Sequence, residues 1–185
     1  PLYSSAASDV YKRQPVRRML ICMTRNRRAT IAMLLLGLAV FSSLYTTQAI
    51  LPTLVTDMGI SHTEAAMTVS AATGALAICV VPASILSERY GRGRILLISA
   101  IAATILGLVV PLAQEGWQLI ALRGLQGAML SGAPATAMAW LSEELEDHAL
   151  PKAMGLYIAG NSVGGLTGRI LSLIHISEPT RQEAI

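Results

Sequence analysis

The chain alternates long uncharged apolar runs with short polar clusters. An α-helix rises about 1.5 Å per residue, so about 20 consecutive apolar residues can cross a bilayer. Runs that approach or exceed this length cover residues 29–55, 65–86, 95–113, 117–141 and 153–170. The pattern predicts an all-α fold, a polytopic bundle of about five transmembrane helices. Pro52, Pro82 and Pro134 lie inside these runs, and we expect them to kink or end helices because proline has no N–H to donate.

Composition points in the same direction as the pattern. The chain is 53% hydrophobic and only 14% charged, with a mean hydropathy of +0.55. A soluble domain carries about 25% charged residues, because each of its helices keeps one face in water. Here the charges are confined to the links between the apolar runs. This composition excludes a soluble globular domain and makes the lipid bilayer the first expected partner.

The basic residues alternate between the polar links. Residues 15–28 carry five arginines, the link after the first run carries no Lys or Arg, and residues 87–94 carry three arginines. Because basic links remain in the cytoplasm, this alternation predicts a multi-pass protein with a cytoplasmic N-terminus.

The basic flank at residues 15–28 has two other interpretations. A signal peptide also begins with basic residues, but the following run is too long for its apolar core, and more runs follow. A nucleic-acid-binding patch is the second interpretation. Beside a membrane span, however, such a cluster is typical of a flank that sets orientation, so we expect no nucleic-acid partner.

The two ends of the chain are related at the DNA level. Residues 9–14 can be encoded as GAT GTG TAT AAG AGA CAG, whose reverse complement translates to residues 171–176. Protein chemistry gives no reason for this relation, and the string is similar to the end of a transposon-derived sequencing adapter. We therefore expect residues 1–14 and 171–185 to be non-native tails. The natural fragment would then be residues 15–170 of a longer protein.

The link between the second and third runs concentrates charge in a tight turn. Gly91 and Gly93 provide the permissive backbone that a short connection needs. Glu88 can pair with Arg89, with Arg92 or with a neighbouring helix end. Such a cluster could gate movement between two helix bundles; a solvated loop that only sets topology is the alternative. The candidate gating residues are Ser84, Glu88, Arg89, Gly91, Arg92 and Arg94.

Arg123 is a charged residue inside the fourth run, about 9 Å from Trp117 at helical spacing. A charge at that depth is costly and by default indicates a functional site that faces a cavity or a partner. Gln126 follows one helical turn later on the same face. Alternatively, Arg123 could extend its side chain to the outer interface. Other polar groups inside the runs could line a substrate path or bond a neighbouring helix; they are Tyr45, Gln48 and Asn161.

Small residues in the fifth run predict close helix packing. Gly160, Gly164 and Gly168 repeat every four residues, which places them on one helix face and forms a groove for another helix. The spacing alone is common in helical membrane proteins.

Two of these segments resemble motifs of the major facilitator superfamily. Residues 84–94 resemble its loop motif between spans two and three, although Ser84 replaces the usual Gly and Glu88 the usual Asp. The segment from Arg123 to Gly127 resembles the Arg-x-x-Gln-Gly motif of span four, which is associated with proton coupling. The fifth run lacks the Gly-Pro pair of the family's antiporters.

This resemblance implies about five spans of the first six-helix half of a twelve-helix transporter. The implied function is secondary active transport of a small-molecule substrate by alternating access, with H+ as the coupling ion and efflux as the direction. The implied location is a bacterial inner membrane, and the second half of the same protein would be the missing partner. In the family the loop locks the two halves in one alternating-access state, so this loop would act in gating. The resemblance of the span-four segment implies that Arg123 would take part in coupling.

Two other function classes remain to be separated from transport. A non-transporting sensor or scaffold could use the same helical fold. A membrane-embedded enzyme would need acids, histidines or metal ligands clustered inside the spans, and the runs contain no such cluster. We expect no enzymatic activity, no cofactor and no metal.

Overall fold

The computed structural model describes the backbone of residues 3–177 and the side chains of residues 25–170. Every regular element in this part of the chain is helical, which confirms the predicted all-α fold. A single 3-10 turn, Val110–Leu112, follows the fourth helix. The helices are α1 (Tyr3–Ala49), α2 (Leu51–Met58), α3 (His62–Tyr90), α4 (Arg92–Val109), α5 (Gly116–Leu130), α6 (Gly132–Glu144) and α7 (Leu150–Ser177). The predicted non-native tails lie outside the residues whose side chains are described, so they stay a prediction.

Proline divides two of the predicted spans. The first run forms α1 and α2 with a break at Ile50 (φ −95°, ψ 7°). Pro52 has no N–H for the carbonyl of Gln48, so the regular hydrogen-bond ladder stops there. The fourth run forms α5 and α6, because Pro134 likewise leaves the carbonyl of Leu130 without its helical donor. Pro82 lies inside α3 without ending it.

Three described segments are long and apolar enough to cross a membrane by length and composition: Arg25–Ala49, His62–Tyr90 and Arg92–Leu112. The fourth predicted span is not a single helix of that length, since α5 has 15 residues and α6 has 13. Between them, Ser131 keeps helical dihedral angles (φ −59°, ψ −29°), so the chain direction continues through the break. The fifth predicted span lies within α7.

Helix α1 contacts several other helices of the bundle. It packs most extensively against α7, and α3 packs most extensively against α5. Two buried apolar clusters surround α1, one formed with α6 and α7 and the other with α3 to α6. Large apolar side chains such as Ile78, Leu108 and Leu112 face outwards, about three-quarters exposed. An exposed apolar exterior around a packed interior is the arrangement that a lipid environment stabilises.

One end of the bundle carries most of the charged contacts. Arg25 on α1 donates to the carbonyl of Glu144 at the end of α6 (2.9 Å). Arg92, at the start of α4, forms an ion pair with Glu143 at 2.9 Å. The N-terminal flank, the α3–α4 loop and the end of α6 therefore lie on the same side.

Candidate functional site

Arg123 points into the bundle and is 3% exposed. It lies on the second turn of α5, facing the last turns of α1. Its Nη2 donates to the carbonyl of Leu44 at 2.8 Å, and its Nη1 donates to the carbonyl of Ser43 at 3.3 Å. The side chain therefore binds a neighbouring helix and does not extend to the bundle surface.

Gln126 connects three helices through the same network. Its Oε1 accepts a 2.6 Å hydrogen bond from Arg123 Nη1. Its Nε2 donates to Ser43 Oγ at 3.0 Å and to the carbonyl of Ala103 on α4 at 3.4 Å. Gly107 leaves space for this amide, because a Cβ there would lie 2.9 Å from Nε2. We call this cluster of Arg123, Gln126 and Ser43 the arginine network.

The arginine network neutralises the guanidinium with dipoles. Among the described residues, no Asp or Glu forms an ion pair with Arg123. Carbonyl and amide oxygens accept from both Nη atoms, while the buried Nε has no described acceptor. A charged group this well buried and incompletely paired is costly, which favours a role beyond packing.

The candidate gating loop is joined to α6 through Arg92. Besides its ion pair with Glu143, Arg92 Nη1 donates to the carbonyl of Ala139 at 3.1 Å. Gly93 faces Trp140, since a Cβ there would lie 3.0 Å from the indole Nε1. A longer side chain at this position would displace the indole. The partner of Arg92 is thus an acid on another helix, whereas the sequence had indicated Glu88 as a possible partner.

The other loop residues lie at the surface. Glu88, Arg89 and Arg94 are exposed and form no ion pair with another described residue. Gly91 has φ +95°, a left-handed conformation that favours glycine, and its N–H donates to the carbonyl of Ser87 at 3.0 Å. The carbonyl of Ser84 accepts from Ser87 Oγ at 2.7 Å. No described side chain forms an ion pair with these exposed charges.

Tyr45, Gln48 and Asn161 lie along the α1–α7 contact. Tyr45 and Asn161 line an open cavity of about 400 Å³ between the two helices. Arg169 also lines this cavity, and the sequence pattern had not singled it out. Its Nε donates to Gln48 Oε1 at 3.0 Å, and its guanidinium carbon lies 4.7 Å from the centre of the Tyr45 ring. A cation inside a predicted span was the signal that could have found Arg169.

The glycines of α7 face α1 at close range. A Cβ at Gly160 would lie 2.5 Å from the carbonyl oxygen of Leu34, and one at Gly168 would lie 2.7 Å from that of Ser42. Gly164 is equally close to Leu38, and its own carbonyl accepts from Ser42 Oγ at 2.9 Å. Because the contacts advance together along both helices, α1 and α7 run parallel.

Residues 32–178 match the sequence profile of the Major Facilitator Superfamily. The chain belongs to this superfamily. The superfamily and the named relatives are membrane transporters and not enzymes, in agreement with the sequence interpretation.

Individual superfamily members match most of the chain. It is 38% identical over 146 residues to the MFS-type transporter YybF of Bacillus subtilis (strain 168), covering 79% of this chain and 36% of YybF. It is 36% identical over 145 residues to the inner membrane transport protein YnfM of Escherichia coli (strain K12), covering 78% of this chain and 35% of YnfM.

A further relative is named for its substrate. A probable 4-methylmuconolactone transporter of Cupriavidus pinatubonensis is 34% identical over 115 residues, which is 62% of this chain and 27% of that protein. No solved structure gives a significant match. The chain spans about a third of the length of the first two relatives. Its helices correspond to the first part of a superfamily helical bundle.

Proposed function

We propose that the whole protein is a secondary active transporter that moves a small organic solute by alternating access. The coupling ion is H+ and the direction is efflux across a bacterial inner membrane, with the N-terminus in the cytoplasm. The remaining part of the protein supplies the second helical half. Membership of the Major Facilitator Superfamily supports the transporter class. The direction is the one implied by the resemblance of the sequence to this superfamily.

The buried arginine network is the observation that carries the proposal. A guanidinium does not release its proton in a protein, so Arg123 itself cannot be the group that titrates. Its role in coupling is therefore electrostatic. Arg123 stabilises a negative charge, either on an acid of the other half or on the solute, and it does so more strongly in one alternating-access conformation than in the other. The buried Nε without a described acceptor is a donor available for that charge.

The charged loop provides the gate in this proposal. The ion pair of Arg92 with Glu143 connects the loop to α6 of its own half. Glu88, Arg89 and Arg94 remain exposed, so they are free to contact the second half. Opening and closing would make and break these contacts while the Arg92 pair stays intact. Such a loop would gate through surface charge without itself changing conformation.

The solute class follows from the named relative. The Cupriavidus pinatubonensis protein is named as a probable transporter of 4-methylmuconolactone, and this compound is a small organic molecule. An apolar-walled cavity of about 400 Å³ with a few polar groups fits a solute of that size. We therefore propose a small organic molecule as the solute.

Transport by the full-length protein in inside-out membrane vesicles tests the proposal. A pH gradient is imposed across inside-out vesicles, and uptake of labelled small organic solutes, beginning with 4-methylmuconolactone, is followed together with the internal pH. We expect gradient-driven uptake accompanied by proton release, which corresponds to export from the cell. Arg123→Lys should lower the rate at least about tenfold, because lysine cannot reproduce the fork of hydrogen bonds.

Arg28→Lys is the matched control, since Arg28 lies outside the proposed gate, is exposed and forms no ion pair with another described residue. Wild-type flux in Arg123→Lys, with folding unchanged, would exclude the coupling role of Arg123. A sensor or scaffold on the same fold would show no flux with any solute, with or without a gradient, and that outcome would overturn the proposal.

A further inference from the structure

The α1–α7 cavity is built from one cation, two aromatic rings and two small polar side chains. Its volume of about 400 Å³ lies in the range of small-molecule sites. Phe41 and Tyr45 form its aromatic wall, with ring centroids 6.2 Å apart and planes inclined by 40°. Asn161 and Ser162 lie on the α7 side. The cavity is therefore suited to a ligand with a flat apolar body and one polar end.

Arg169 is held in a fixed orientation beside this wall. Its Nε is engaged by Gln48 Oε1, and its guanidinium lies over the Tyr45 ring. Gly165 makes room for the ring, because a Cβ there would lie 3.2 Å from Tyr45 Cδ2. Stacking on one face and a hydrogen bond at one nitrogen reduce the freedom of a long side chain, which lowers the entropy cost of binding a ligand.

The remaining edge of the guanidinium is open. Among the described residues, no hydrogen bond or ion pair involves Nη1 or Nη2 of Arg169. These two N–H groups point the same way and match the two oxygens of a carboxylate, which can accept both bonds at once. Arg123 differs in this respect, since both of its Nη atoms already donate within the bundle.

We propose that this cavity binds the carboxylate of a small aromatic organic anion, with Arg169 holding the carboxylate and Phe41 and Tyr45 packing against the ring. This inference rests on the proposed transport function and narrows its solute class. Gln48 and Gly165 act as positioning residues, because they orient Arg169 and Tyr45 and need not touch the ligand.

Equilibrium binding to the detergent-solubilised full-length protein tests the site without requiring transport. Benzoate is the probe, benzamide is its uncharged analogue of the same shape, and cyclohexanecarboxylate is its non-aromatic analogue of the same charge. We expect benzoate to bind at least about tenfold more tightly than benzamide, since only the carboxylate accepts a charged bidentate pair. Cyclohexanecarboxylate should bind with intermediate affinity.

Variants locate the binding. Arg169→Gln should weaken benzoate about tenfold or more and leave benzamide unchanged, while Arg169→Lys, which keeps the charge but not the fork, should fall between Gln and wild type. Arg28→Gln removes an exposed cation outside both the cavity and the proposed gate, and it should change neither affinity. If the Gln variant fails to fold, the Lys variant and the comparison of benzoate with benzamide still show whether Arg169 binds the carboxylate.

The outcomes separate this inference from the transport proposal. Benzoate binding that depends on Arg169 supports the site even if no flux is measured, and the transport proposal alone would then fail. Flux of an uncharged or cationic solute, with no preference for benzoate over benzamide, overturns the anion site and leaves transport standing. Benzoate binding that is equal in wild type and in Arg169→Gln also overturns it.

Discussion

At the scale of single residues, two arginines hold the same stretch of α1 from different sides. Arg123 binds the carbonyls of Ser43 and Leu44, and Arg169 contacts Tyr45 and Gln48. Both Nη atoms of Arg123 donate within the bundle, whereas neither Nη atom of Arg169 has a described acceptor. Residue type alone therefore does not distinguish a bundle contact from a ligand site; the occupancy of individual N–H groups does.

We expect Gln126→Ala to destabilise the protein by about 1–2 kcal/mol. The change removes the acceptor for Arg123 Nη1 and leaves Ser43 Oγ without its amide partner. Thermal unfolding in detergent measures the loss. Gln114→Ala is the control, because that side chain is exposed and forms no described hydrogen bond. Equal melting temperatures for the two variants would contradict the network.

At the scale of helices, stability depends on how closely α7 approaches α1. Glycine at three positions lets the backbones meet, which gains dispersion contacts that membrane helices cannot replace with a hydrophobic effect. The parallel contact also aligns Tyr45 with Gly165 and Gln48 with Arg169. The cavity is thus a consequence of this helix pair and its register.

Gly160→Ala tests the close approach. Its Cβ would meet the Leu34 carbonyl at 2.5 Å, so the helices must separate, at a cost of about 1–3 kcal/mol. Gly155→Ala lies on the same helix with no atom within 4 Å and should be neutral or slightly stabilising. Unfolding of both variants is compared with wild type. A Gly160 variant as stable as the Gly155 variant would show that the contact is loose.

The pair of Arg92 and Glu143 joins the α3–α4 loop to α6, and we expect it to be weak. Their side chains are 26% and 55% exposed, so solvent screens the attraction. A double-mutant cycle with alanine at both positions should give a coupling energy of less than about 1 kcal/mol. A second double-mutant cycle, with alanine at Arg94 and Glu143, serves as the reference and should give no coupling energy. A coupling of several kcal/mol would indicate that the pair is shielded from water.

At the scale of the whole molecule, charged contacts gather the N-terminal flank, the α3–α4 loop and the end of α6 at one end of the bundle. The alternation of basic links in the sequence places the same three segments on one side. The contacts place these segments together, and the assignment of that side to the cytoplasm stays a prediction from the excess of arginine.

Cysteine labelling tests this orientation. In full-length protein with Cys22 and Cys79 replaced by serine, Thr63→Cys and Asp147→Cys introduce thiols at exposed positions of opposite ends. A membrane-impermeant maleimide added to intact cells should label the Thr63 variant and not the Asp147 variant, which should react only after permeabilisation. The reverse pattern would place the N-terminus outside.

The hydrophobic pattern was enough to predict the class of fold, because uncharged runs of this length are stable in lipid as helices, which satisfy their own backbone hydrogen bonds. It also indicated Arg123, Gln126 and the charged loop, since a charge inside an apolar run is unusual enough to be noticed. It could not place the breaks at Ile50 and Ser131 from proline alone, because Pro82 occurs in an unbroken helix.

Which side chains contact each other depends on the packing of the helices. The pairing of Arg92 with Glu143 and the cavity around Arg169 join residues that are 51 and more than 100 positions apart. Such contacts depend on helix register and on how closely α7 approaches α1. The glycine spacing permits a close approach but does not specify the register. Helix formation depends on local interactions, so the pattern of residues predicts it. A site is formed by packing between segments that are distant in the sequence, so the pattern does not predict it.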